Sequence, residues 1–275
     1  MRRSWRLVDK EPVLAPEPAR DAYQRLAPTY DLYTEAYDYD RWLAELEELA
    51  REHGLRGRRL LDVACGTGNS FLPMIERGYE VVACDISPAM IERARAKTTP
   101  RAAELHVADM RRLPVLGAFD LVTCLDDSIN YLTNRDELKA AMRGIAANLS
   151  PGGLLVFDVN TLSTYRESFR RDAVREVDDV VFCWRGQGKR RLRRGQVVSA
   201  RVDVFHPEGN GLWRRAESRH CQRHFPRRHI ERAVRVAGLS TVAVRGQALG
   251  ARIKGYASER RHPKLVYVAR KEERT

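Results

Sequence analysis

The chain has 275 residues, 43% of them hydrophobic, and its 49 Lys+Arg against 37 Asp+Glu leave a net charge of +12. No apolar run approaches the roughly 20 residues needed to span a bilayer, and no apolar stretch follows Met1-Arg2-Arg3, which excludes a secretory signal and leaves a cytoplasmic protein without membrane contact as the expectation. The first 160 residues carry 21 Lys+Arg against 25 Asp+Glu and the rest 28 against 12, an asymmetry that can mark an anionic partner, but no aromatic runs or recognisable motif accompany it and nucleic acid is not the expected partner.

Residues 1–20, with Pro12, Pro16 and Pro18, read as a loose arm. Residues 21–26 and 40–53 read as helices; in the second, Trp42, Leu43, Leu46 and Leu49 make an apolar stripe and Gly54 is a natural stop. Between them lies an aromatic-rich turn over 27–33. A strand at 59–64 leads to a helix near 70–77, with Pro73 tolerated in its first turn. The next strand, 80–84, leads to Ser87, a good N-cap, and Pro88 at the first helical position. Strands follow at 104–108 and 119–124. A helix over 135–149 ends at the breaker Ser150-Pro151-Gly152-Gly153, and 154–159 is a fifth strand. Cys65, Cys84 and Cys124 end strands, where a thiol serves as a small hydrophobe; the five cysteines show no CxxC or metal-ligand spacing, so a reduced, metal-free protein is expected.

From Thr161 the texture changes. Segments 177–184, 196–206 and 212–225 alternate apolar and polar residues between Arg/Gly-rich turns, the pattern of antiparallel strands. Pro226 opens a helix through Ala237, closed by Gly238, and 241–247 and 264–270 supply two more strands. The expected architecture is α/β: a doubly wound, Rossmann-like seven-stranded sheet with an inserted antiparallel β lid. Residues 21–160 and 226–275 form the core, and 161–225 the lid that binds the acceptor.

The most informative segment is LLDVACGTGN at 60–69, with a second strand ending at Asp85. Strand, acid, glycine turn, helix and a second acid-ended strand make the first βαβ unit of such a sheet, with a ligand crevice at the strand ends. A dinucleotide fingerprint needs a third small residue after the two glycines, yet Phe71 stands there. A ligand without a diphosphate fits better, which weakens an oxidoreductase reading. Asp62 could hold a water or an ammonium group, and Asp85 is placed to accept both hydroxyls of a ribose.

The segment Asp62-Val63-Ala64-Cys65-Gly66-Thr67-Gly68 resembles the first motif of the class I S-adenosylmethionine-dependent methyltransferases, and Cys84-Asp85-Ile86-Ser87 the second. Ala108-Asp109-Met110 resembles the third, and 125–131 (LDDSINY) the segment beside donor and acceptor. The resemblance covers roughly 21–160 and, more loosely, the last forty residues. It implies S-adenosyl-L-methionine as cofactor, with Asp109 and the next backbone amide holding the adenine. The implied cofactor-binding set is Tyr23, Tyr30, Asp62, Ala64, Gly66, Gly68, Asp85, Ile86, Asp109, Met110 and Leu125, with Tyr23 or Tyr30 covering the donor. Within the class the chain is most similar to small-molecule methyltransferases of bacterial amino-sugar and antibiotic pathways. That implies transfer to a nitrogen or oxygen of a small-molecule acceptor in secondary metabolism; the sequence leaves monomer and homodimer both open.

The candidates for catalysis follow strand four. Asp126 and Asp127 are consecutive, so one at most is expected to face the acceptor: Asp127 orients an amine or hydroxyl while Asp126 or its backbone faces the donor. The alternative is that one aspartate merely caps the next turn. Asn130 and Tyr131 are expected to wall the pocket. In the lid, His220 and His224 share one strand face and Arg219 and Arg223 the other. The catalytic set is therefore Asp127, His220 and Asn130, whereas an arginine pair facing the acceptor would favour a phosphate- or carboxylate-bearing substrate. Two other readings stay open: an RNA methyltransferase using the basic C-terminal half, and a non-catalytic S-adenosylmethionine-binding protein.

Overall fold

The computed structural model describes residues 19–189 and 191–272, so most of the expected arm lies outside the described residues. Three helices lead in: α1 (Ala19–Leu26), α2 (Tyr30–Thr34) and α3 (Tyr39–Glu52). Five strands and three helices follow in the order β1 (Arg59–Val63), α4 (Leu72–Glu76), β2 (Glu80–Asp85), α5 (Pro88–Lys97), β3 (Ala103–Val107), β4 (Phe119–Cys124), α6 (Arg135–Asn148) and β5 (Leu149–Asn160). After α7 (Leu162–Glu167) come four antiparallel strands, β6 (Asp172–Val177), β7 (Val180–Gly186), β8 (Val197–Gly209) and β9 (Leu212–Arg223). The chain closes with α8 (Arg227–Val236), β10 (Leu239–Gln247), the two-residue β11 (Ile253–Lys254) and β12 (Lys264–Lys271).

The large sheet has the order β11-β10-β12-β5-β4-β1-β2-β3. Its strands β1 to β5 pair in parallel, and β12 enters antiparallel between β5 and β10. The fold is the expected doubly wound α/β sheet; the eighth strand is the short β11. Each central strand is apolar on both faces because helices cover both. On one side Leu61, Val122, Leu155 and Tyr267 pack with α6 and α8. On the other, Leu60, Val81, Leu121 and Val266 pack with Trp42, Leu46, Phe71 and Ile91. Ser87 caps α5 through Met90 N, as its sequence suggests.

Two boundaries depart from the sequence reading. α6 ends at Asn148, within one residue of the reading, but Ser150-Pro151-Gly152-Gly153 is not a separate break: β5 begins at Leu149 and runs through it. The segment is absorbed as a bulge: Phe119 pairs with Leu149 but Leu121 with Leu154, and Gly152 takes φ +77. The segment expected as one strand from 177 is the second arm of a hairpin. Its turn is made by Asp178 and Asp179, both left-handed at φ 48 and 63, without the glycine that would have marked it.

Candidate active site

The strand ends β1 to β5 open into two neighbouring cavities that share Tyr131. The smaller, about 210 Å³, is lined by Ala64, Ile86, Ala108, Asp109 and Met110. The larger, about 800 Å³, lies between the strand ends, the N-terminal helices and the four-stranded sheet. Six tyrosines (23, 30, 33, 37, 39 and 131) wall it, with Asp126, Asp127, His220, Gln222 and Lys264.

The glycine turn is built for close approach. Ala64, Gly66 and Gly68 take φ of 61, 56 and 95. A Cβ on Gly68 would meet the Phe71 ring at 2.9 Å, so the aromatic fills the place of a third small residue and packs under the turn. Asp85 accepts Gly66 N at 3.0 Å through one carboxylate oxygen and Ser87 N at 2.8 Å through the other. The Ile86 amide adds to these two, and a carboxylate has acceptor capacity beyond three donors. Burial pushes the Asp85 carboxyl up to about 6, against the lowering effect of those amides.

Asp62 is not free to hold a water or a ligand ammonium. It is 1% exposed, and Ser70 Oγ and Thr123 Oγ1 (2.6 Å) donate to its two oxygens. It pins the glycine turn to β4, and burial raises its carboxyl to about 6. Asp109 accepts Arg111 N at 2.9 Å and pairs with the Arg111 guanidinium at 2.6 Å, so its carboxylate braces its own turn. Leu125 is 3% exposed and packs in the core, its carbonyl accepting from Ser128 Oγ at 2.8 Å. Tyr23 and Tyr30 both line the larger cavity, and the Tyr30 ring edge lies over Gly66.

Asp126 and Asp127 depart from the expected alternation. Both take left-handed backbone, φ 56 and 52, so their side chains no longer point to opposite faces. Both carboxylates reach the same ammonium: Lys264 Nζ lies 2.7 Å from Asp126 Oδ1 and 2.8 Å from Asp127 Oδ1, with Asp158 Oδ2 at 3.1 Å. Asp127 also makes no side-chain cap to the turn that follows, which disposes of the capping alternative. Gln222 Nε2 donates to its other oxygen, and Asn160 Nδ2 fixes Gln222 by donating to Oε1 at 3.0 Å.

These four charges set each other's protonation. Burial alone would lower Lys264, but three carboxylates hold it well above the usual lysine range. Burial would raise Asp126, yet Lys264 and the Tyr39 and Tyr30 hydroxyls bring it below the ordinary value. Asp127 is raised to about 6 by burial, with Lys264 opposing and the Asp126 and Asp158 charges adding to the rise. Asp158 is raised for the same reasons. Lys264 is thus held as a cation, and of the two carboxyls that line the larger cavity Asp127 is the one raised, to about 6.

Asn130 does not wall the pocket. It is fully buried, donating to Arg223 O at 2.9 Å and accepting Asn160 N at 2.8 Å, so it bolts the end of β5 to β9. His220 does line the cleft, but as a neutral ring. Burial lowers it to about 4, and its nitrogens already meet Tyr131 Oη (2.8 Å) and Ser218 Oγ (3.1 Å). His224 and Gln222 share its face, as period two requires, while Arg223 on the other face turns away to Thr133 O at 2.8 Å. Among the described residues neither Arg219 nor Arg223 lines the larger cavity. Sequence reasoning missed Lys264, Gln222 and Asp158. The one signal was a lysine opening the otherwise apolar strand Leu265–Ala269.

A methyltransferase-domain family model matches residues 60–153. A provisionally named methyltransferase from Geobacillus sp. (strain WCH70) is 32% identical over 168 residues, covering 59% of this chain and 67% of that protein. The dTDP-3-amino-3,6-dideoxy-alpha-D-glucopyranose N,N-dimethyltransferase of Streptomyces fradiae is 35% identical over 143 residues, 51% of this chain and 55% of that enzyme. The X-ray structure of the sugar N-methyltransferase KedS8 from Streptoalloteichus superposes with a TM-score of 0.71 at 25% identity, covering 99% of this chain and 100% of that one. The chain belongs to the S-adenosylmethionine-dependent methyltransferases. It is an enzyme whose methyl donor is S-adenosyl-L-methionine, as in the S-adenosylmethionine-dependent methyltransferase of Clostridium acetobutylicum, which superposes with a TM-score of 0.74 at 25% identity over 91% of this chain and 99% of that one.

Proposed function

We propose that this enzyme methylates the nitrogen of a small-molecule amine, with Asp127 taking the proton that the amine must lose. The observation that carries this reading is the charge balance at the inner end of the larger cavity. Asp126 and Asp127 line the cavity beside one ammonium, with Asp158 buried behind it, so carboxyl groups outnumber the cation at this end. A cationic acceptor is drawn there, and the tyrosine walls add ring faces that favour cations.

The residues at the strand ends fit the donor. Asp85 would take the two ribose hydroxyls, and Ala64, Ile86, Asp109 and Met110 would border the adenine. When bound, the donor supplies an electrophilic methyl group on a sulfonium. The protein's part is chiefly positioning, which can contribute about 7–11 kcal/mol in well-oriented reactions. Tyr23 and Tyr30 close over the turn, and Asp126 stays ionised beside Lys264 to balance the positive charge of the reactants.

Asp127 performs the proton step. An ammonium acceptor gives one N–H proton to Asp127, which frees the nitrogen lone pair for in-line attack. A base held near 6 is ionised at pH 7 and still able to release its proton afterwards. Gln222 and Lys264 orient it, Asn130 and Asn160 hold Gln222 in place, and His220 positions Tyr131. The activities of the Streptomyces and Streptoalloteichus relatives support an amino sugar as the acceptor, and we place the reaction in bacterial secondary metabolism.

The test is a screen with methyl-labelled donor against amino sugars and their matched hydroxy analogues, read by mass spectrometry. Methylated amines with unmodified hydroxy partners support the reading; methylation of the hydroxy compounds alone refutes it.

A further inference from the structure

Part of the positive charge of the C-terminal half lines a groove apart from the active site. Helix α8 buries Ile230, Ala233 and Val234 against Leu138, Met142 and Ile145 of α6. Its outer edge presents Arg228, Arg232 and Arg235, spaced i, i+4, i+7 and all exposed. Across from them, Arg135 and Lys139 stand one turn apart on α6. These five cations line the two walls of a groove of about 830 Å³, with Arg223 and His229 also bordering it.

This arrangement works against the stability of the isolated fold. Like charges one turn apart on a helix repel, and a cation in the first turn opposes the helix dipole. The single acid on the groove lining, Asp136, is already engaged by Lys139 at 2.8 Å. Among the described residues, the guanidinium groups of Arg135, Arg228, Arg232 and Arg235 meet no carboxylate within salt-bridge distance. Two shielded nitrogens on the lining, Arg223 Nε and His229 Nδ1, have no hydrogen-bond partner. Burial and the Arg135, Arg228, Arg223 and Arg232 charges together keep the His229 ring below its usual range.

We propose that the groove between α6 and α8 is a binding site for a phosphate-dense anion, separate from the methyl-transfer cleft. Arginine forks on both walls suit tetrahedral phosphate oxygens, which they can grip bidentately. A narrow concave site charged on both sides fits a thin ligand rather than a flat acidic protein face. The neighbouring depression that Arg228 also borders is charge-balanced, since Arg194 pairs with Glu259 and Arg227 with Glu231, so the cationic site is the groove itself. Among the described residues no Phe, Tyr or Trp lines the groove, so a nucleic acid would be held chiefly through its backbone.

The experiment measures binding of inorganic tripolyphosphate by calorimetry and of a short labelled single-stranded RNA by anisotropy, at about 50 and 200 mM salt. It compares the unaltered protein with an Arg228→Ser, Arg232→Ser, Arg235→Ser variant and with an Arg93→Ser, Arg101→Ser control on α5 and the turn after it. The groove variant is expected to bind at least about tenfold more weakly and with a shallower salt dependence, while the control and S-adenosylhomocysteine binding stay unchanged. Binding of tripolyphosphate alone identifies a compact phosphorylated ligand; RNA binding displaced by tripolyphosphate identifies a phosphodiester backbone. Absence of binding by both probes at low salt overturns the proposal. So does an equal loss in the control, or a poly-glutamate peptide binding as tightly as the phosphates.

Discussion

Replacing Lys264 with Met removes the one cation from a cluster of three carboxylates while keeping most of the side-chain volume. The ammonium contacts Asp126, Asp127 and Asp158 at 2.7, 2.8 and 3.1 Å, and Asp158 is fully buried. Breaking a buried pair by deleting one partner costs about 3–5 kcal/mol. At roughly 2–4 °C per kcal/mol for a chain of this size class, the melting temperature at pH 7 is expected to fall on the order of 10 °C. The sign of the pH dependence follows from the carboxyls left behind. Asp127 and Asp158 are already raised in the folded protein, and losing Lys264 raises them further. The folded variant therefore binds protons that the unfolded chain releases, so its deficit is largest at pH 7 and shrinks as pH falls through about 6. Calorimetric scans at pH 7 and pH 5 measure this directly, and adding Asp158→Asn to Lys264→Met should restore part of the loss. A variant that melts with the unaltered protein at pH 7, or whose deficit does not shrink at pH 5, refutes the reasoning.

The other predictions concern individual groups. Asp85 is held at about 6 and must be ionised to accept two hydroxyls, so S-adenosylhomocysteine should bind progressively more weakly as pH drops through 6; titration calorimetry across pH 5–8 checks this, and Asp85→Ala should abolish the dependence along with most of the affinity. Gln222→Leu removes a hydrogen bond to the Asp127 carboxylate, worth about 1.5–3 kcal/mol when the acceptor is charged, and should move the acid limb of kcat upward by about one pH unit or more. His220→Gln should leave the shape of the pH profile between 5 and 8 unchanged, because the ring is already neutral there with its pKa near 4; a lost limb in that range would restore His220 as a proton carrier.

Most of the sheet was legible because its strands are buried on both faces. Leu60-Leu61, Val81-Val82 and Leu121-Val122 form apolar runs that no helix period explains, and Ser87-Pro88 announces the next helix by its capping chemistry. The glycine turn was legible for a related reason: Gly66 and Asp85 meet through backbone geometry tied to strand ends. The carboxylate cluster around Lys264 was not. Lys264 lies 138 residues from Asp126, and only the antiparallel entry of β12 beside β5 brings it under strand four. Consecutive aspartates alternate in extended backbone, and nothing in the sequence announces that both turn left-handed. Asn130 sits in the same short segment as Asp127, yet its amide is spent on two backbone partners that no local pattern reveals. The double turn at Asp178-Asp179 went unread because neither residue is glycine.

Proton acceptance by Asp127 is tested most directly by the pH dependence of kcat with an amine acceptor from the labelled-donor screen, compared between the unaltered protein and Asp127→Asn. The unaltered enzyme should lose activity as pH falls through about 6. The variant should turn over about 10²–10⁴-fold more slowly, without that limb, while binding S-adenosylhomocysteine normally. An Asp127→Asn enzyme that keeps both the rate and the limb would contradict the assignment of the proton to this carboxylate.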